Sequence, residues 1–123
     1  MAGAPSVLVV TDNDAIREEL EFGLSGEAEV HTAREARDAW VWLQDRVPAG
    51  VIVDLQTGSA GGFALTRDMH ATTRLGSVPV VILLDRYQDE WLARQAGAAA
   101  VFVKPIVAEE VFAALRAAAP TPG

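Results

Sequence analysis

Several charged side chains in this chain stand directly after short apolar runs. Asp12, Asp54 and Lys104 each follow such a run. An acid adds nothing to a buried core, because an unpaired buried charge is costly. It is tolerated where a strand emerges into a crevice, which is where open α/β sheets bind their ligands. These three side chains are therefore the first candidates for chemistry.

If Asp12 and Asp54 lie close together, their mutual repulsion must be offset. Two carboxylates about 4 Å apart repel by roughly 4 kcal/mol at an effective dielectric constant near 20. A cation, a shared proton or the ammonium group of Lys104 would offset that repulsion. The chain has no Cys, and His31 and His70 have no partner at ligand spacing. A hard divalent ion with oxygen ligands, Mg²⁺ rather than Zn²⁺, fits such a site.

Five runs with strand-like patterns alternate with five helical segments. The predicted strands are 6–11, 27–33, 51–55, 80–84 and 100–103. The predicted helices run from Asp14 to Gly23, from Ala36 to near Val47, from Gly61 or Gly62 to Met69, and over Glu90–Ala96 and Glu109–Ala119. Four strands are nearly continuous apolar runs, as in a parallel sheet covered on both faces. The alternation implies right-handed crossovers and a doubly wound fold.

The predicted fold is an α/β, flavodoxin-like (βα)5 domain with helices on both faces and a parallel sheet of strand order 2-1-3-4-5. In that order the first and third strands are neighbours at the topological switch point. Asp12 then lies beside Asp54, and Lys104 reaches the same pocket from the end of the fifth strand. Asp85 follows the fourth strand and could add to the pocket, although a solvated loop acid is the simpler interpretation.

Composition narrows the classes of function. The chain has 123 residues, enough for one domain with one buried core. We place that domain at residues 1–119 and interpret 120–123 as a tail or the start of a linker. A net charge of −7 argues against a nucleic-acid-binding surface, which needs clustered Lys and Arg. No apolar run reaches the length of a membrane span, so we expect no membrane contact and a cytoplasmic location.

Motifs along the whole chain resemble those of a bacterial response-regulator receiver domain. They are Val-Val-Thr-Asp-Asn-Asp at 9–14, Val-Ile-Val-Asp-Leu at 51–55, Gly62-Phe63, Ala96-Gly97-Ala98 and Lys104-Pro105. The resemblance implies that Asp54 accepts a phosphoryl group from a sensor histidine kinase. Asp12, Asp54 and the backbone carbonyl of Gln56 would then bind Mg²⁺. Lys104 would pair with the acceptor and then with the phosphoryl group, and the Lys104–Pro105 peptide would be cis.

Three positions depart from the receiver pattern. Thr11 replaces the first of two adjacent acids, and we expect this loss to weaken Mg²⁺ binding, since that carboxylate normally orients metal-bound water. Leu84 stands where the family has a Ser or Thr hydroxyl that bonds the phosphoryl group. Val101 stands where the family has its switch aromatic, although Phe102 is adjacent. The stretch 84–97 is also two residues shorter than the common pattern, so the chain resembles an atypical receiver.

Three hypotheses of function follow. In the first, the chain is a stand-alone receiver with Asp54 as phosphoacceptor, and its output passes through protein contacts; it is no enzyme beyond self-catalysed phosphoryl transfer. In the second, it is a phosphorylation-independent pseudo-receiver. Its fourth helix, fifth strand and fifth helix then form a constitutive binding or homodimer surface. In the third, it is a flavodoxin-like cofactor binder, although no glycine fingerprint follows the first strand.

The positions of the tryptophans indicate where a partner protein could bind. Trp40 and Trp91 fall at helical positions typical of core packing. Trp42 points away from Trp40 on the same helix, so we expect one of these two to be partly exposed. An exposed tryptophan would be a candidate partner contact.

Overall fold

The computed structural model describes residues 3–55 and 61–119. Over these ranges, five strands alternate with five helices: β1 (Ser6–Val10), α1 (Asp14–Gly23), β2 (Glu29–Ala33), α2 (Ala36–Leu43), β3 (Gly50–Asp54), α3 (Gly61–Ala71), β4 (Val80–Leu84), α4 (Glu90–Ala96), β5 (Ala100–Val103) and α5 (Ala108–Ala118). A short 3-10 turn over Tyr87–Asp89 leads into α4. No helix within the described ranges is long and apolar enough to cross a membrane.

The sheet has the predicted topology. Its strands are all parallel and run in the order β2-β1-β3-β4-β5. The register pairs Val10 with Ala33 on one side and with Val53 on the other, and it pairs Leu84 with Val103. The carboxyl ends of the strands therefore line up along one edge. The doubly wound, flavodoxin-like fold is confirmed.

Alternate residues of the strands belong to two hydrophobic layers, one on each face of the sheet. Leu8, Val51 and Ile82 belong to a layer with buried residues of α2, α3 and α4. Val7 and Ile52 belong to the opposite layer, with buried residues of α1 and α5. All five side chains are fully buried. Because helices cover both faces, the central strands carry apolar residues toward both layers instead of alternating, and Asp54 stands at the end of β3.

Several predicted boundaries differ from the observed ones, and hydrogen bonds accompany two of the differences. Helix α2 ends at Leu43 rather than near Val47, and the Arg74 guanidinium donates to the carbonyl oxygens of Leu43 and Arg46. The bond to Leu43 satisfies a carbonyl that has no partner within the helix, since the last carbonyls of a helix lack one. Strand β2 begins at Glu29 rather than at 27 because the two preceding amides bond to the carbonyl of Leu24 in the turn after α1.

The prediction that Trp91 packs in the core is also wrong. Helix α4 buries only its small residues Ala93 and Ala96, and Trp91 is 67% exposed. Trp40 and Trp42 both pack against the core layer of α2. Both are only partly buried, which agrees with the expected partial exposure on α2, but the most exposed tryptophan is Trp91 on α4, which makes it the stronger candidate for a partner contact.

Candidate functional site

The ends of β3 and β5 bring a carboxylate and an ammonium group into direct contact. Lys104 Nζ forms an ion pair with Asp54 Oδ1. The Asp54 side chain is fully buried, and that of Lys104 is 17% exposed. Since an unpaired buried charge is costly, the lysine is what allows an ionised carboxylate at the end of a buried strand. The Lys104–Pro105 peptide is cis, as the resemblance implies.

Thr11 contacts the other oxygen of the same carboxylate. Its hydroxyl donates to Asp54 Oδ2 over 2.7 Å and accepts a hydrogen bond from the amide of Asn13 over 3.0 Å. The Asn13 side chain in turn caps α1 by accepting from the Ile16 amide. Sequence reasoning treated Thr11 only as a lost acid and missed its role as a donor. The signal was available, because a hydroxyl at a strand end beside an acid is a natural hydrogen-bond partner.

Asp85 is a second partner of Lys104. Its Oδ1 lies 2.9 Å from Lys104 Nζ, and its side chain is 40% exposed. Asp85 is thus exposed, as the interpretation of a solvated loop acid expects, but it also contacts the lysine of the site. The register explains the contact: Leu84 pairs with Val103, and the Lys104 amide donates to the Leu84 carbonyl, so the next residue on β4 lies beside the lysine.

Lys104 thus serves two carboxylates with one positive charge. Burial lowers the pKa of Lys104, but the hydrogen bonds to Asp54 and Asp85 and the charges of both carboxylates outweigh burial. The pKa of Lys104 is therefore raised above the ordinary lysine value. The ammonium group stays charged throughout the physiological pH range.

A cleft of about 310 Å³ opens at this edge, at the switch point between β1 and β3. Asp12 and Asp54 both line it, together with residues that follow β2 and begin α3: Arg34, Glu35, Arg37, Gly61 and Gly62. The guanidinium of Arg34 reaches the Asp12 carbonyl over 3.5 Å and lies 3.6 Å from the Asp14 carboxylate. Sequence reasoning missed Arg34, although the same rule about strand ends would have found it, since it directly follows β2.

The donor chemistry of the cleft fits a hard divalent cation, because its ligating groups are carboxylate oxygens. Asp12 is exposed and Asp54 is buried, and they approach the cleft from neighbouring strands. The predicted backbone ligand Gln56 lies outside the described residues. Within residues 3–55 and 61–119, no three His, Cys, Asp or Glu side chains are grouped to hold a metal ion. The fit of Mg²⁺ therefore rests on Asp12 and Asp54, the carboxylates at the ends of β1 and β3, and Asp54 already contacts Thr11 and Lys104.

The two altered switch positions are apolar and belong to one hydrophobic layer. Leu84 is fully buried, and Val101, partly buried, packs against the same layer. A hydrocarbon therefore occupies the place where the family pattern has a hydroxyl, and it packs within the core.

Comparison with known proteins agrees with the fold and the motifs. The model of the response regulator receiver domain family matches residues 7–116. The response regulator Rre1 of Synechocystis is 33% identical over 120 residues, covering 94% of this chain and 52% of that protein. The chain therefore spans about half the length of the curated relatives it matches. The match favours the receiver interpretation over a flavodoxin-like cofactor binder.

Solved structures give the same architecture. The chemotaxis response regulator CheY4 of Vibrio cholerae has a TM-score of 0.83 at 23% identity, covering 94% of this chain and 99% of that one. The receiver domain of the sensor histidine kinase PA1611 from Pseudomonas aeruginosa has a TM-score of 0.83 at 20% identity, covering 94% and 97% of the two chains. That structure contains a magnesium ion in its active-site cleft. With the family model matched from β1 into α5, this chain belongs to the family of response regulator receiver domains.

Proposed function

We propose that Asp54 is the phosphoacceptor of an atypical receiver domain in two-component signalling. The observation that carries the proposal is the buried Asp54 carboxylate, held between Lys104 and Thr11 at the edge of a cleft that Asp12 also lines. One carboxylate oxygen would attack the phosphorus of the donor. The P–N bond of a phosphohistidine, or the P–O bond of a small acyl phosphate, breaks as the new P–O bond forms, and the leaving group departs with the electron pair.

The residues around Asp54 support this transfer through position and charge. Lys104 offsets the negative charge that accumulates on the phosphoryl oxygens, and the hydrogen bond from Thr11 fixes the orientation of the carboxylate. Asp12 and Asp54, with the Gln56 carbonyl, would hold Mg²⁺. When bound, that ion supplies further neutralisation of the phosphoryl charge. We propose weak Mg²⁺ binding, because Thr11 replaces one acid of the family pattern. The chain then catalyses at most its own phosphorylation.

A sensor histidine kinase is the proposed donor, and a contact with another signalling protein is the proposed output. The match to the receiver family supports both partners. We propose that residues 1–119 carry this activity as one domain at a cytoplasmic location. The net charge of −7 supports a protein rather than a nucleic-acid partner.

Phosphorylation can be tested directly on the full chain. We would incubate it with acetyl phosphate and Mg²⁺ and follow the intact mass. We expect the mass of one added phosphoryl group, which disappears in Asp54→Asn. Asp45→Asn is a matched control, because Asp45 is an 83% exposed acid whose ion-pair partner is Arg46, next to it in the chain. A wild-type mass that stays unchanged, or an adduct that persists in Asp54→Asn, would contradict the proposal.

A pseudo-receiver is the second candidate function, and the apolar residues at the two switch positions favour it. Its proposed surface, the α4–β5–α5 face, carries three exposed apolar side chains: Trp91, Leu92 and Val103. Strand β5 is also an edge of the sheet, and an exposed sheet edge can pair with another chain. On this proposal the chain forms a homodimer, or binds a partner, without phosphorylation.

Sedimentation of the purified chain tests the homodimer. We expect Trp91→Ala to weaken self-association with or without acetyl phosphate. Phe22→Ala is the control, because Phe22 is an 87% exposed aromatic residue on α1. A monomeric wild type would exclude the homodimer. Equal weakening by both substitutions would mean that the α4–β5–α5 face is not the interface.

A further inference from the structure

Lys104 is shared between a buried carboxylate and a more exposed one. Its ammonium group pairs with Asp54 Oδ1 and lies 2.9 Å from Asp85 Oδ1. Lysine has three N–H donors on its terminal nitrogen, so one ammonium group can serve both acids. The two acids stand at the ends of different strands, since Asp54 is the last residue of β3 and Asp85 directly follows β4. A single positive charge therefore links the acceptor to the loop after β4.

The ion pair of Lys104 with Asp54 should be stronger than its ion pair with Asp85. The Asp54 side chain is fully buried and also accepts from Thr11, whereas the Asp85 side chain is 40% exposed. Water screens an exposed ion pair more than a buried one. A phosphoryl group carries roughly 1.5 to 2 negative charges at neutral pH. Placed on Asp54, it would attract Lys104 more strongly and repel the Asp85 carboxylate, so the contact with Asp85 is the one that gives way.

Asp85 begins the segment that carries two exposed aromatic side chains. The 3-10 turn starts at Tyr87, two residues later, and Trp91 follows in the first turn of α4. Tyr87 is 69% exposed and Trp91 is 67% exposed. Leu84, directly before Asp85, is fully buried in the core. A displacement of Asp85 would therefore move the loop and the start of α4 while β4 stays in place.

We propose that Asp85 is a positioning residue that holds Lys104 between two carboxylates and couples the charge on Asp54 to the loop 85–89. In this role an acid one residue further along the chain takes the place of the hydroxyl that is missing at Leu84. The inference rests on the proposed function, because it requires a phosphoryl group on Asp54. It goes beyond that function by naming the residue that transmits the signal.

The chain has one tyrosine, which allows a selective test. The full chain is labelled with 3-fluorotyrosine, and beryllofluoride with Mg²⁺ is added as a phosphoryl analogue. One fluorine NMR spectrum then reports both the beryllofluoride bound at Asp54 and the environment of Tyr87. We expect the Tyr87 signal of the wild type to shift when beryllofluoride binds.

Three variants show whether the signal passes through Asp85. In Asp85→Asn, which keeps the side-chain size and removes the charge, we expect beryllofluoride to bind while the shift of Tyr87 falls by more than half. Asp85→Glu restores the carboxylate and should restore most of the shift. Asp89→Asn is the control, because Asp89 is an acid of the same segment that pairs with Arg86; it should keep the full response.

The possible outcomes distinguish failure of the proposed coupling through Asp85 from failure of the proposed phosphorylation at Asp54. Absence of bound beryllofluoride in the wild type would overturn both proposals. Bound beryllofluoride with an unmoved Tyr87 signal would overturn the coupling alone. An equal shift in wild type and Asp85→Asn would do the same, because the loop would then respond without the Asp85 charge.

Discussion

The hydroxyl of Thr11 donates a hydrogen bond to Oδ2 of Asp54 over 2.7 Å, between the ends of two neighbouring strands. In the receiver pattern an acid stands at position 11 and would repel Asp54. Threonine instead supplies a donor, so the Asp54 carboxylate is satisfied by Thr11 on one oxygen and by Lys104 on the other. The buried acid thus has protein partners on both oxygens.

Removal of the Thr11 hydroxyl should destabilise the fold. Thr11→Val keeps the shape of the side chain but leaves Asp54 Oδ2 without its donor. Hydrogen bonds to charged groups are worth about 1.5–3 kcal/mol, and we expect the free energy of unfolding to fall by that amount in urea denaturation. Thr11→Ser keeps the hydroxyl and should lose much less. Thr32→Val, at an exposed position of β2, should have little effect. Equal stability of Thr11→Val and the wild type would show that the bond contributes nothing.

Restoring the acid at position 11 should strengthen Mg²⁺ binding. Thr11→Asp adds a carboxylate beside Asp12 and Asp54. We expect its Mg²⁺ affinity, measured by isothermal titration, to be roughly 10-fold higher or more, because residues that orient metal ligands typically change metal affinity by that factor. Without Mg²⁺ the same variant should be less stable than the wild type, because an acid then faces Asp54 where a donor stood. Thr11→Asn, which is similar in size but neutral, should not gain the affinity. An unchanged affinity in Thr11→Asp would contradict the proposed Mg²⁺ site.

The charge of Lys104 should persist to unusually high pH. Lys104 is the only lysine in the chain, so a protein labelled with [15N]lysine gives one side-chain ammonium signal. Its pKa in the folded state is raised above 10.5 by Asp54 and Asp85, against the effect of burial. The stabilisation is therefore complete below the pKa of the unfolded chain and is lost as pH rises through the folded pKa. We expect the NMR titration midpoint above that of a model lysine peptide.

Asp85→Asn and Asp54→Asn should each lower this midpoint, because each removes a negative charge next to the ammonium group. Lys104→Met should remove the part of the pH dependence of unfolding that belongs to the ion pairs. A wild-type midpoint at or below the peptide value would mean that burial outweighs the two carboxylates.

Two glycines with positive φ should respond differently to alanine. Gly26 has φ +83 with open space around the position of a Cβ atom, and Gly97 has φ +110 with a Cβ position that overlaps the His70 imidazole. Backbone strain alone costs about 1–2 kcal/mol at either position. We expect Gly97→Ala to lose more than Gly26→Ala in urea denaturation, because the helix C-cap must also move away from His70. Similar losses for both substitutions would mean that the imidazole gives way easily.

Substitution of Trp91 should affect stability less than substitution of Trp40, and Trp91 should be the more accessible to solvent. Trp91→Ala should change the free energy of unfolding by less than about 0.5 kcal/mol, as is usual for exposed positions. Trp40→Ala should cost more than about 1 kcal/mol, because it removes packing against the core layer of α2. Acrylamide should quench the fluorescence of the wild type more strongly than that of Trp91→Ala. A large loss of stability in Trp91→Ala would contradict the exposed position of the side chain.

Much of the fold could be predicted from the sequence because the spacing of apolar residues differs between strands and helices. Fully apolar runs such as Val80–Leu84 indicate strands covered on both faces, and the alternation of strands and helices implies a parallel sheet. Boundaries were less predictable where a distant side chain sets them. Helix α2 ends at Leu43, whose carbonyl accepts from Arg74, on a loop 31 residues further along the chain.

The charged residues at strand ends were predictable for the same topological reason. In a parallel sheet the carboxyl ends share one edge, so Asp54 and Lys104 had to lie near each other once the strand order was assumed. Side-chain contacts were not predictable, because they depend on register and rotamer. Asp85 became a partner of Lys104 through the pairing of Leu84 with Val103.

The sequence by itself determined the receiver fold, the edge at which the charged residues meet and the apolar character of the two switch positions. Periodicity and residue type carry that information locally, and the topology of a parallel sheet extends it. Only the tertiary structure decided that Thr11 is a donor to Asp54, that Lys104 is shared with Asp85 and that Trp91 is exposed. These facts depend on how residues far apart in the chain pack together, and a hydrogen bond forms only within narrow limits of distance and angle.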